Sequence, residues 1–154
     1  MSSNQTLKTM TIIHYTLMLG IVIFGIIVYS LNEKWELILS ITDDIFFLVV
    51  PIVAVFGVLV GSYIFKTWLN AIDKSTSLND QLTRYQTALI VKDALIEGPC
   101  LLGIIAALLS GNLYYFIIVI ALIIYFYSQR PTLNGIEKDL NLDSSQMAEL
   151  RNDA

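Results

Sequence analysis

Lys92-Asp93-Ala94-Leu95-Ile96-Glu97-Gly98-Pro99, running into the apolar stretch Cys100 to Leu109, is the segment on which the reading of the chain turns. It sets three charged residues and a Gly-Pro pair at the head of what must be a membrane-spanning helix. Ionisable groups at such depth are costly, so they are paired, line a cavity, or serve a function.

Composition supports that placement. The chain has 154 residues, of which 56% are hydrophobic and 14% charged, with a mean hydropathy of +0.70. A soluble domain carries about 25% charged residues. The deficit is gathered into four apolar runs, the mark of a polytopic membrane protein and not of a soluble protein with a greasy core. The net charge of −4 says little about partners, because the acids lie mainly in one loop and the C-terminal tail. No basic patch points to nucleic acid. One cysteine, Cys100, excludes an internal disulfide and reads as a small buried hydrophobe. With His14 as the only histidine, a Cys/His metal site is excluded by count, and nothing suggests a cofactor.

From Thr9 to Leu31 the chain is almost uniformly apolar, about 23 residues or roughly 34 Å of helix, enough to span a bilayer. A cleavable signal would have a shorter apolar core and a small-x-small site; this run ends Tyr29-Ser30-Leu31-Asn32-Glu33 and reads as a permanent first helix. A loop with Trp35 at the headgroup level follows. Thr42 with Asp43 and Asp44 reads as the N-cap and acidic first turn of a second span. That span, 45–65, carries Pro51 and a face of Ala54, Gly57 and Gly61. Such a face lets helix backbones approach closely, within the chain or, as the alternative, across a dimer.

Ser77-Leu78-Asn79-Asp80 resembles a capping box, so a third helix starts there and projects from the bilayer before spanning it over 90–109. Leu78, Leu82, Tyr85 and Leu89 form its exposed stripe, suited to packing against the tail or a neighbouring helix end. Gly103 is a further small packing position. A fourth span over 113–128 has aromatics at both ends and must fold back as an antiparallel hairpin across Ser110-Gly111-Asn112. Arg130-Pro131 stops it, and the tail 130–154 offers one short helix from Ser144, capped by Asp143 and Gln146, with too few apolar positions to stand alone.

The fold expected is therefore all-α and integral to the membrane, with residues 1–129 forming four transmembrane helices as two antiparallel hairpins. With four spans, Lys8, Lys66, Lys74, Arg84, Lys92, Arg130, Lys138 and Arg151 fall on one side and Lys34 alone on the other. The positive-inside rule then makes both termini cytoplasmic.

Within the opening segment, Lys92 is expected to snorkel to the interface, while Glu97 lies roughly 7 Å deeper. Asp93 and Glu97, one helical turn apart, repel if both are ionised. Gly98-Pro99 is expected to break the helix and leave the Leu95 carbonyl without its partner. His14 lies at a comparable depth in the first span and is the cross-helix partner expected for Glu97. That pair would be either a polar clasp fixing helix register or a proton- or cation-handling site.

Tyr85, Leu95-Ile96-Glu97-Gly98-Pro99, Ser110-Gly111-Asn112, Arg130-Pro131-Thr132 and Asp139-Leu140 resemble the pattern of a family of small uncharacterised bacterial four-helix membrane proteins. The resemblance covers the third and fourth helices and the start of the tail; it implies a bacterial inner membrane and supplies no activity. A hairpin with a mid-helix Glu also resembles the proteolipid (c) subunits of rotary ATPases. Neither Gly20 and Gly25 nor Gly57 and Gly61 reproduce their glycine run, however, and no hairpin duplication is visible. The expected function is a non-catalytic structural or accessory subunit, partnered by the lipid bilayer and by copies of itself or another membrane protein. The alternative is a proton- or cation-conducting unit using Glu97. An enzyme is not expected, because no His/Ser/Asp set accompanies Asp93 and Glu97.

Overall fold

The computed structural model describes residues 3–40 and 44–152, and the described chain is all-α. The helices are α1 (Ser3–Leu31), α2 (Phe46–Asn70), α3 (Leu78–Ser110), α4 (Tyr114–Ser128), α5 (Leu133–Leu140) and α6 (Ser144–Asn152). Gln5–Leu31 and Phe46–Asn70 are each long and apolar enough to cross a membrane. Only 17% and 22% of their most apolar windows are buried inside the protein, so both helices present most of their hydrocarbon surface outward. A third crossing arises if α4 is joined to α5, from which it is bent by 76°.

α3 is the axis of the fold: α1, α2 and α4 all pack on it. It starts at the expected cap, where Ser77 Oγ accepts the Asp80 N–H at 3.3 Å and its hydroxyl donates to the Asp80 carboxylate at 2.8 Å. It ends at Gly111, whose left-handed φ of 66° suits a residue without a Cβ.

The helix does not break at Gly98-Pro99, contrary to the expectation from sequence; α3 runs unbroken from Leu78 to Ser110 with Pro99 inside it. The reason lies on α2. A Cβ at Gly57 would collide with the Leu95 carbonyl oxygen and come within 2.8 Å of Pro99 Cγ. The carbonyl that Pro99 cannot serve is thus met by the backbone of a glycine, where a Cα–H···O contact is available. One turn on, a Cβ at Gly61 would lie 3.4 Å from the Leu95 side chain, and Ala54 is buried on the same face. These small residues seat α2 on α3 within one chain. Gly103 does the same for α4, since a Cβ there would stand 2.7 Å from Val119 Cγ2.

At one end of the molecule the loop after α1 is tied to the α3–α4 turn. Glu36 donates its N–H to the Gly111 carbonyl at 3.1 Å and accepts from the Leu113 N–H at 2.9 Å. The Asn112 side chain accepts from the Ile38 N–H (3.1 Å) and donates to the Ile38 carbonyl (2.9 Å). Trp35 stacks on Tyr29 at 5.4 Å and donates to the Tyr29 carbonyl at 3.0 Å. The capping positions Thr42 and Asp43 lie outside the described residues, but Asp44 accepts the Phe46 N–H at 3.0 Å.

At the opposite end the tail folds back onto α3. It is one of the two covers expected from sequence for the stripe, and it acts through α5 as well as the expected helix from Ser144. Thr132 caps α5 by accepting the Gly135 N–H at 3.1 Å, and Asp143 and Gln146 cap α6 reciprocally. Ile136 and Leu140 of α5 with Met147 and Leu150 of α6 are buried against Met10, Phe65 and the Leu78, Leu82, Tyr85 and Leu89 stripe. The stripe finds its cover in the tail.

Candidate functional site

Three helices bring polar groups together just inside the tail-side end. His14 of α1 and Asp93 of α3 are completely buried, with His14 Nδ1 hydrogen-bonded to Asp93 Oδ2 at 2.9 Å. With the imidazole proton on Nδ1, the ring donates and the Asp93 carboxylate oxygen accepts. Phe126 of α4 closes the pocket by an edge-on contact, its ring 4.6 Å from that of His14. Among the described residues, His14 Nε2 and Asp93 Oδ1 have no hydrogen-bond partner.

The partner of His14 is therefore Asp93, where the sequence reading expected Glu97. Depth along the axis was the guide to that expectation, but azimuth decides the contact: Asp93 faces α1, whereas Glu97 is part-exposed and makes no hydrogen bond or ion pair within the described residues. Gly98, next to it, is exposed, with nothing within 4 Å of the place its Cβ would occupy.

Lys92 also departs from expectation. It does not snorkel to the surface but is 7% exposed, donating through Nζ to Gln129 Oε1 at 2.6 Å while lying 4.6 Å over the Phe65 ring. Gln129 caps the end of α4, so this bond joins α3 to α4 as the His14–Asp93 bond joins α3 to α1. Further out, Tyr85 donates to Asp139 of α5 at 3.1 Å. Burial, then the neighbouring Asp139 carboxylate, push the Tyr85 phenol well above the ordinary tyrosine range. Ser62 of α2 and Tyr125 of α4 share a hydrogen bond at 3.2 Å.

Comparison with protein-family models, with curated proteins and with solved structures finds no match to this chain. Function therefore has to be read from the site alone.

Above the polar groups the interior dries out. Ile21, Ile96, Cys100, Ile104, Val119 and Leu122 form a buried apolar layer between α1, α3 and α4. Among the described residues no group of three or more His, Cys, Asp or Glu side chains is placed to hold a metal ion. The tail does carry an open polar groove of about 480 Å³ beside Glu137, Asp143 and Arg151, remote from His14 and Asp93.

Lys92, Gln129, Tyr85 and Asp139 were not singled out together in the sequence. The signal was there in part, because the apolar stripe on the first half of α3 calls for a cover, and the tail was one of the two covers expected for it. Nothing in the sequence paired Lys92 with Gln129 or Tyr85 with Asp139.

Proposed function

We propose that the chain is a non-catalytic structural or accessory subunit of a membrane assembly. It spans the bacterial inner membrane four times as two antiparallel hairpins, with α1, α2, α4 and the second half of α3 as spans. Both termini are cytoplasmic. The sorting of Lys and Arg to the tail side supports this orientation. So do the outward apolar faces of α1 and α2.

The observation that carries the accessory reading is the apolar layer above His14 and Asp93. Two polar bonds cross between helices here, His14 to Asp93 and Lys92 to Gln129 at the end of α4. The side chains that follow along α3, Ile96, Cys100 and Ile104, are packed and apolar. Polar groups so arranged fix helix register, a role for which buried polar pairs are suited. Affinity purification from native membranes in mild detergent, read by mass spectrometry, tests the proposal. Distinct partners in fixed stoichiometry support it; recovery of the chain with no other protein sinks it.

A second reading, proton or cation handling, draws on the groups left without a partner among the described residues: His14 Nε2, Asp93 Oδ1 and Glu97. In that case Glu97→Gln leaves folding intact but abolishes ion flux in reconstituted vesicles. A hydrophobic carbodiimide then labels Glu97, and a cation protects it.

A further inference from the structure

We infer that the open face of α3 is the contact between two copies of this chain, with Glu97 of each copy bonded to the other. The inference rests on the membrane-spanning reading alone, and goes beyond the accessory role. At 100° per residue Ile90, Ala94, Glu97, Leu101, Ile105 and Leu108 share one face of α3. Every one of them is exposed or part-exposed, whereas Asp93, Ile96, Pro99, Cys100, Gly103 and Ile104 on the other sides of this segment are buried.

This face is not an ordinary lipid-facing surface. It carries a carboxyl side chain with no hydrogen bond or ion pair inside the described protein, about five residues or roughly 7 Å deeper than Lys92. In hydrocarbon such a group needs a partner that both donates and accepts. A second copy inserted in the same orientation supplies one at the required depth. A two-fold axis along the membrane normal sets each residue opposite its own equivalent. Two carboxyls that hold a proton between them satisfy each other, one donating and the other accepting. The neighbours permit the approach. Ala94 and Gly98 are one turn apart and exposed, and the space where a Gly98 Cβ would sit is empty. Small residues one turn apart let membrane helices come close enough for side chains to bond across the interface. Gly57 and Gly61, by contrast, are already spent on α3 of the same chain.

The test is cross-linking in native membranes in a Cys100→Ala background. Cys is placed singly at Ala94, at Gly98 and, as a control, at Ile124 on the outward face of α4 (66% exposed). A disulfide forms only when the Cα atoms come within about 7 Å, so collision at random is excluded by the control. Oxidation is expected to give a dimer of twice the chain's mass from A94C and G98C and at least tenfold less from I124C. Glu97→Leu in the A94C chain is expected to lower the yield about tenfold, and Glu97→Gln, whose amide still donates and accepts, to keep it. Equal yields at all three positions overturn the inference, as does an adduct to a different protein or an A94C yield indifferent to Glu97→Leu. Carbonate extraction of the same variants reports insertion separately, so loss of the dimer is not confused with failure to span the membrane.

Discussion

The two ends of the molecule are held by different chemistry. At the end that holds the α3–α4 turn, backbone groups make most of the bonds: Glu36 pairs with the Gly111–Leu113 turn, and the Asn112 side chain clamps the Ile38 backbone. At the tail-side end side chains do it, through His14–Asp93, Lys92–Gln129 and Tyr85–Asp139, under a cover of α5 and α6. Distance along the chain does not separate the two ends: Ile38 and Asn112 are 74 residues apart, and the tail-side bonds join α1, α4 and α5 to α3 across 79, 37 and 54 residues. What separates them is the availability of backbone groups. The loop and turn have backbone N–H and C=O groups free to bond across, whereas inside helices those groups are already paired and the crossing falls to side chains.

This contrast is breakable. Asp93→Ala leaves the His14 imidazole buried and unpaired, and is expected to cost about 3–5 kcal/mol, read as a fall in the thermal midpoint in detergent. Ile136→Ala empties a fully buried site under the tail and should cost about 2–5 kcal/mol of tail docking. Hydrogen exchange should then speed up in α5 and α6 and leave the Glu36–Leu113 amides protected. If both ends lose protection together, the two ends are one cooperative unit and the contrast fails.

Smaller effects sharpen it. Gly57→Ala drives a methyl into the Leu95 carbonyl and Pro99, and about 1–3 kcal/mol of overpacking is expected. Gly20→Ala meets nothing within 4 Å and should be neutral, or stabilising by up to about 1 kcal/mol. Equal outcomes at the two glycines would remove the argument for a close α2–α3 seat. The mildest perturbation is alkali. Tyr85 holds its proton more tightly in the folded chain than in the unfolded one, so its contribution is intact below the ordinary tyrosine value of 10.0 and fades as pH rises above it. Tail exchange should quicken over that range in the parent and lose this dependence in Tyr85→Phe.

Much of the architecture was legible because bilayer thickness and apolar runs constrain it so strongly. The ends of α3 and α4, the Ser77 cap and the Asp143–Gln146 cap all follow from local chemistry that one stretch of sequence contains. What escaped was anything set by azimuth or by distant cover. Counting residues gives the depth of Glu97 and Asp93 but not which of them faces α1. Pro99 signals a break when α3 is considered alone, and the glycine that accommodates it sits on another helix, 42 positions earlier, at Gly57. Lys92 looked interfacial because the groups that cover it, Gln129 at the end of α4 and the Phe65 ring of α2, lie far from it in sequence.

The central claim is that His14 and Asp93 form a clasp, and a double-mutant cycle tests it most directly. His14→Leu and Asp93→Val are made singly and together, and unfolding free energies are compared. A clasp predicts that each single change loses about 3–5 kcal/mol, while the double variant, with two apolar groups and no orphaned charge, returns to within about 1 kcal/mol of the parent. A double variant that loses the sum of the two single losses would contradict the account.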